Sequence, residues 1–427
     1  MGKYNVIVAH PAQQHSYRLA TGLKKNSVLY KYITTVYYKR NSLTYCVSML
    51  LKGKFKRKAQ NRQCSYLLND DVKQFCEGIG LLKLLALNVS IFRRWYYLLK
   101  YGTADLFAKK VAAYSIDKHV DAVITYDDSS PLLFETLQKK NPHIIKILDM
   151  SAANLHYMRK IYDIDTKLMP DFANRLHFEY AKVWNENIMD RALREIKASD
   201  YFLVPSQFVA RSLKYSGVND EQILLCPYGV DVEEFSCKEY KRTEKHKPLN
   251  FIYVGGVKEL KGISYLLKAF REISRDQAKL TVVGAFNPND EDIAPYLDKV
   301  NFTGMVLHSE VPNLLKNADV FVFPSLGEGL SLSTLEAAAC GLPLIVSENS
   351  GVNDYMINGN EGFVIPIQSV EAIKNAVFWY INNPEKIETM GRNAREMALR
   401  FTWDSYYEKA GKLIKEILEK NADSLTR

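Results

Sequence analysis

Acidic residues are scarce at the start of this chain. Residues 1–100 hold 18 Lys and Arg against three carboxylates (Asp70, Asp71 and Glu77), a net charge of +15. A segment this basic seeks an anionic partner: a membrane surface, a nucleic acid or a phosphorylated substrate. The imbalance stops in the second half, where residues 231–427 hold 23 basic and 28 acidic side chains. Patterned cysteine is also missing. The six cysteines, at 46, 64, 76, 226, 237 and 340, show no C-x-x-C spacing. That excludes a disulfide framework and a zinc site and points to a reducing compartment. Long apolar runs are absent too. The most apolar stretch, residues 78–102, is broken by Lys83, Asn88, Arg93 and Arg94, and no run reaches the roughly 18–20 apolar residues of a spanning helix. The N-terminus enters "YNVIVAH" with no basic region followed by a long apolar one, so no secretory signal is expected. There is no internal repeat, low-complexity tract, helix-turn-helix or RNA-recognition motif. Basic patches alone give only non-specific affinity for nucleic acid, so no specific nucleic-acid partner is expected.

What is present is a strand–helix alternation. At 427 residues the chain suits two or three domains. In the second half, "LNFIYVG", "KLTVVG", "DVFVFPS", "LPLIVS" and "GFVIP" read as short buried strands. Amphipathic stretches such as "GISYLLKAFREIS" separate them. This pattern predicts a parallel, doubly wound sheet, with ligands at the carboxyl ends of the strands. The first half repeats it through "YNVIVAH", "DAVITY", "HIIKIL", "DYFLVPS" and "QILLCPYGV". The expected organisation is a basic α/β domain over residues 1–235 and a second α/β domain over 236–405. A C-terminal helix, 406–427, completes it. Residues 52–102 admit two readings. One is an interfacial surface seeking anionic lipid; the other is a core helix pair with snorkelling cations.

The chemistry concentrates in "PSLGEGLSLSTLEAAACGLPLIV", residues 324–346. A strand ends, a small-residue loop follows, and a helix begins with Ser331 or Ser333 as N-cap. The amides of Gly329, Leu330 and Ser331 at that helix start form an anion site suited to phosphate. Glu328 projects into the cleft before it. Glu336 suits the paired hydroxyl donors of a ribose, or serves only as a helix former. Upstream, "VGGVKELKG" puts Gly255 and Gly256 where backbone approaches a ligand closely, with Lys261 as a cation for diphosphate. The acid pairs in "YDDSS", "DID" and "NDED" read as turn and cap residues, and no metal site is expected.

Three separated stretches, "SQFVARSLKYSGVNDEQILLCPYGVDVEEF", "VGGVKELKG" and "EGLSLSTLEAAACGLP", together resemble the retaining nucleotide-sugar glycosyltransferases of the two-Rossmann-domain GT-B type, glycosyltransferase family 4. The resemblance covers roughly residues 198–410. It implies two facing Rossmann-like domains, with the last helix crossing back to the first. It implies a hexose moved from a nucleotide-diphosphate sugar to a glycan or lipid-linked acceptor in bacterial cell-surface polysaccharide or glycolipid synthesis. Neither cofactor nor metal is implied. The location it implies is the cytoplasm, including the inner face of the cytoplasmic membrane, which residues 52–102 would contact. Carried over, Glu328 handles the donor sugar, Glu336 the ribose, and Lys261 with the three amides the diphosphate; Glu328 and Lys261 are the catalytic candidates. Two departures stand out. Family members often carry Arg where this chain has Gly256, leaving Lys258 as the nearby cation. The first loop, "HPAQQHSYRLA", lacks the family's glycines and offers Gln13, Gln14 or His15 instead. Asp149 or His156, in "DMSAANLHY", stand where the family has a cleft histidine. The alternative function is a nucleotide-sugar epimerase on the same fold.

Overall fold

A computed structural model describes residues 4–13, 15–88, 95–240 and 248–425. Gln14, Arg93, Arg94 and residues 241–247 lie outside the described residues. The strands of the first sheet are β1 (Val6–His10), β2 (Leu29–Thr34), β3 (Val72–Gln74), β4 (Ala122–Tyr126), β5 (Ile145–Asp149), β6 (Tyr201–Val204) and β7 (Ile223–Leu225). They lie in the order β3-β2-β1-β4-β5-β6-β7, all parallel. The second sheet holds β8 (Leu249–Val254), β9 (Ala278–Val283), β10 (Asn301–Gly304), β11 (Val320–Phe323), β12 (Leu344–Ser347) and β13 (Gly362–Ile365). Its order is β10-β9-β8-β11-β12-β13, again parallel.

The central strands are buried along their whole length, as in β1, β4, β5 and β11. Helices on both faces require this, because a parallel strand has no solvent side. Each sheet reverses its winding once, between β1 and β4 and between β8 and β11. The crevice outside the strand ends at such a reversal is where doubly wound sheets hold ligands. Gly262 draws β8 and β11 together there. Its φ is +71°, and a Cβ on it would stand 2.0 Å from the Pro324 carbonyl oxygen.

The terminal helix Trp403–Leu425 crosses back to the first domain and lies on the helix Ser16–Lys25. Gly22 permits the close approach, since a Cβ there would meet the Tyr407 Cα at 3.0 Å. Arg18 donates to the Tyr407 hydroxyl at 2.9 Å, and Asn26 Nδ2 to the Tyr407 carbonyl at 3.0 Å.

Between β2 and β4 the first domain carries a helical insert that sequence periodicity did not resolve. Its helices are Leu43–Leu50, Gly53–Gln60 and Glu77–Asn88. The last of them buries only Gly80, Lys83 and Ala86, which corrects the core-pair reading for this helix. The helix Tyr96–Asp117 does reach the core, through Phe107, Ala108, Val111 and Ala112. Among the described residues no helix is long and apolar enough to cross a membrane.

Candidate functional site

The loop after β11 is held from three sides. Leu326 N–H donates to the Leu260 carbonyl at 3.1 Å, Asn349 Nδ2 to the Leu326 carbonyl at 2.9 Å, and Ser347 Oγ to the Ser325 carbonyl at 2.5 Å. Ser331, not Ser333, caps the helix Leu332–Ala339 by accepting from Thr334 N–H. Among the described residues no acceptor faces the amides of Gly329 and Leu330. They are therefore available to an anion at the positive end of the helix. The expectation for the third amide is corrected. Ser331 N–H donates to the Ser350 carbonyl at 3.2 Å, because the loop after β12 folds over that turn.

Lys261, at the end of the short turn after β8, makes an ion pair with Glu328. Ser325 Oγ also donates to Glu328, at 3.3 Å. Burial lowers the Lys261 ammonium to about 8, and the charge of Lys258 adds to the effect. The contact with Glu328 opposes that shift, since an adjacent carboxylate favours the charged ammonium. Gly256 is not sterically required: a Cβ there would touch only the Lys258 side chain, at 3.5 Å or more. The aliphatic part of Lys258 thus occupies the space beside Gly256.

Glu336 is half-buried and accepts from His308 Nε2 at 3.3 Å, while His308 Nδ1 lies 3.2 Å from Glu234. Burial raises the Glu336 pKa, and His308 pulls against it. For His308, partial burial alone would lower the pKa. The carboxylates on its two nitrogens outweigh that and raise it. His308 was missed in the sequence. It sits in the loop after β10, and nothing in its local pattern ties it to a helix 28 residues further on.

Across the cleft the first domain brings together two expected residues. His15 Nε2 lies 3.2 Å from Asp149 Oδ2, at the end of β5. The imidazole packs on Tyr126 and Tyr228, with ring centroids 5.0 and 4.5 Å away. It is 15% exposed while Asp149 is 2% exposed, so the histidine faces the cleft and the carboxylate orients it. The Tyr126 and Tyr228 hydroxyls are buried without hydrogen-bond partners among the described residues. His156 is set apart from this pair: its Nδ1 is buried with no hydrogen-bond partner among the described residues, and its backbone amide serves the Asn154 cap. Gln13 contributes its carbonyl to Ser16 N–H and Oγ, and among the described residues no hydrogen bond engages its side chain.

The two halves touch at the site. A Cβ on Gly329 would stand 1.9 Å from the Ser151 carbonyl oxygen, and one on Gly327 would meet Met158 at 2.6 Å. Glycine here lets the donor-side loop seat against the loop after β5. The tempting acid pairs are already engaged. Asp127 accepts from Ser151, Asp128 pairs with Lys100, Asp163 accepts from Trp184, and Asp290 and Asp292 hold Arg175.

Residues 238–397 match the family model of glycosyl transferases group 1. An uncharacterized glycosyltransferase of Methanocaldococcus jannaschii is 27% identical over 267 residues, which cover 60% of this chain and 65% of that protein. The UDP-Gal:alpha-D-GlcNAc-diphosphoundecaprenol alpha-1,3-galactosyltransferase of Escherichia coli is 30% identical over 193 residues, covering 42% of this chain and 50% of that enzyme. The match thus spans between half and two thirds of these relatives' lengths. In three dimensions, the sucrose-phosphate synthase of Thermosynechococcus elongatus superposes with a TM-score of 0.65 at 18% identity, over 98% of this chain and 100% of that one. The architecture is the two-domain GT-B fold.

Proposed function

We propose that this chain, whose second domain is that of the group 1 glycosyltransferases, moves a hexose from a nucleoside-diphosphate sugar to a hydroxyl of a glycan or lipid-linked acceptor. The reading includes retention at the anomeric carbon and no need for metal. The observation that carries it is the Lys261–Glu328 pair beside the acceptor-free amides of Gly329 and Leu330, at the winding reversal of the second sheet. As the bond from the anomeric carbon to the phosphate oxygen breaks, negative charge grows on the diphosphate and positive charge on the sugar ring. A fixed ammonium and two amides aimed at the first, with a carboxylate beside the second, stabilise the transition state more than the ground state. The acceptor oxygen forms the new bond, and its proton passes to the leaving phosphate. Glu336 holds the ribose, exchanging His308 for the sugar's hydroxyls. His15, oriented by Asp149, stands on the acceptor side.

A thermal-melt panel of UDP, GDP, ADP and their hexose conjugates tests the donor half. A ligand that binds only the native state raises the melting temperature by mass action. One base series is expected to do so, and a flat panel would overturn the reading. Proton NMR of the product reports the anomeric configuration, and inversion would defeat the retention assigned here. An epimerase would instead return a free, epimerised nucleotide sugar and release no nucleoside diphosphate. The +15 segment and the exposed apolar side chains of the insert support peripheral contact with the inner face of the cytoplasmic membrane. Failure to sediment with anionic vesicles at low salt would remove that contact.

A further inference from the structure

Asp165, the second acid of "DID", lies inside the helix Leu155–Leu168 of the first domain and not in a turn. It is 1% exposed. Against it, from the second domain, stands Glu259 on the turn after β8, 0% exposed. The two carboxyls are within hydrogen-bonding reach of each other. Each is also held by donors of the second domain. The Tyr265 hydroxyl donates to Asp165 Oδ1 at 2.7 Å, and Gln368 Nε2 to the same oxygen at 3.3 Å. Ser264 donates its N–H to Glu259 Oε2 at 3.1 Å and its hydroxyl to Oε1 at 2.5 Å. Among the described residues these donors leave Asp165 Oδ2 unserved. Gln368 reaches across from a left-handed backbone, φ +59°, an angle that costs a residue with a side chain.

The pair has no cation of its own: among the described residues no ammonium or guanidinium makes an ion pair with either carboxyl. Glu179 faces it, accepting from the Glu259 N–H at 2.9 Å. Tyr162, Tyr253, Tyr265 and Tyr296 complete the titratable groups around it. The nearby cations act elsewhere. Arg175 holds Asp290 and Asp292, Lys261 pairs with Glu328, and Lys258 acts on Glu179. Two carboxylates in one desolvated place repel, so the favoured state keeps a proton on the pair. Burial raises both groups, and the charge of Asp165 raises Glu259 further. Glu259 opens the three-residue turn that Lys261 closes. Between them the Leu260 carbonyl accepts from Leu326 N–H at 3.1 Å and Ser325 Oγ at 3.2 Å. A shift of Glu259 therefore moves Lys261 and the loop of Glu328 together.

We propose that Asp165 and Glu259 share one proton across the domain interface, and that Glu259, so held, is the positioning residue that sets Lys261 for the diphosphate. When the proton leaves, the carboxylates repel, the turn after β8 moves off the helix Leu155–Leu168, and closure weakens. The part played by Lys261 rests on the transferase reading; the shared proton and the closure do not. A raised carboxyl pair stabilises the closed form below the ordinary carboxylate range, and that stability is lost as pH climbs through the raised value. Three readouts on the full chain test this. The infrared carbonyl band of a protonated carboxyl should be weaker in Asp165→Asn than in wild type at neutral pH, because an amide donates to Glu259 without the proton. The radius of gyration from small-angle X-ray scattering should grow with pH in wild type. In Asp165→Asn it should grow less, leaving the share of Glu179. Glu259→Gln makes the same contact from the other domain and should respond alike, which keeps the test open where one variant fails to fold. Calorimetry with inorganic pyrophosphate should show wild-type affinity falling by up to about tenfold per pH unit as one proton is lost, on the acid side of the Lys261 step. Both variants should keep only the Lys261 step. Equal infrared bands, scattering that ignores pH or grows equally in the variants, or an unchanged acid-side fall in pyrophosphate affinity would overturn the proposal. Pyrophosphate that binds at no pH, with the infrared and scattering results as expected, would sink the donor reading and leave the shared proton standing.

Discussion

Lys261 and Glu328 reach each other from two loops, one after β8 and one after β11. The half-buried Lys261 ammonium is lowered to about 8 by burial and by Lys258, against the pull of Glu328, and loses charge as pH rises on the alkaline side. In the proposed reading the diphosphate draws on that charge. Nucleoside diphosphate affinity should therefore fall as pH rises through about 8, measured by calorimetry. Lys261→Arg should flatten the fall, because a guanidinium stays protonated throughout. At this scale, Glu328, Gly329 and Leu330 were legible because they lie next to each other at a strand end and a helix start. Glu336 was legible as a ribose candidate, but its His308 partner was not, since that contact joins two loops with no common local pattern. The Ser331 amide misled for the same reason. A helix start looks open in sequence, and only the loop after β12 supplies the Ser350 carbonyl that closes it.

Elements tell the two halves of the chain apart. The second sheet was read almost strand by strand, because its strands are buried apolar runs separated by single amphipathic helices. Only the short edge strand β10, exposed on alternate residues, escaped. The first sheet lost β2 and β3. β2 carries Lys31 and is only half-buried at its start, β3 is three residues long, and the helical insert separates them. The helices of residues 155–197 also went unread; of these, Leu155–Leu168 and Pro170–Glu179 reach the second domain through Asp165, Arg175 and Glu179. The tail helix was legible from its amphipathic period, and its return to the first domain came only from the family resemblance; that it docks on Ser16–Lys25 is seen only in the structure. The turn after β8 is packed tightly against the loop after β11. Gly262→Ala puts a methyl against the Pro324 carbonyl at a backbone angle alanine disfavours. It should cost about 1–3 kcal/mol, read as a lower melting temperature together with weaker nucleotide binding.

At the scale of the whole molecule the domains are closed on each other. Arg175, from the helix Pro170–Glu179, grips Asp292 with two hydrogen bonds of 2.6 and 2.7 Å and Asp290 with one of 2.8 Å. Beside it Glu179 accepts from the Glu259 amide at 2.9 Å. Burial raises the Glu179 pKa from 4.5 to about 7, with Arg175 opposing. A carboxyl whose folded pKa is raised contributes stability that is complete below its unfolded value and is lost as pH climbs through the folded one. Between pH 4.5 and about 7 the closed form should thus weaken. Melting temperature should fall across that window, and Glu179→Gln should reduce the slope. In the proposed function the cleft between these closed domains cleaves a nucleotide sugar on the Lys261–Glu328 pair. The direct measurement is nucleoside diphosphate release from the donor panel by wild type and by Glu328→Gln. Release from one donor by wild type is expected, and loss of that release in a variant that still melts at the wild-type temperature and still binds the nucleotide. Undiminished release by the variant, or none from any donor by the wild type that binds one, would contradict it.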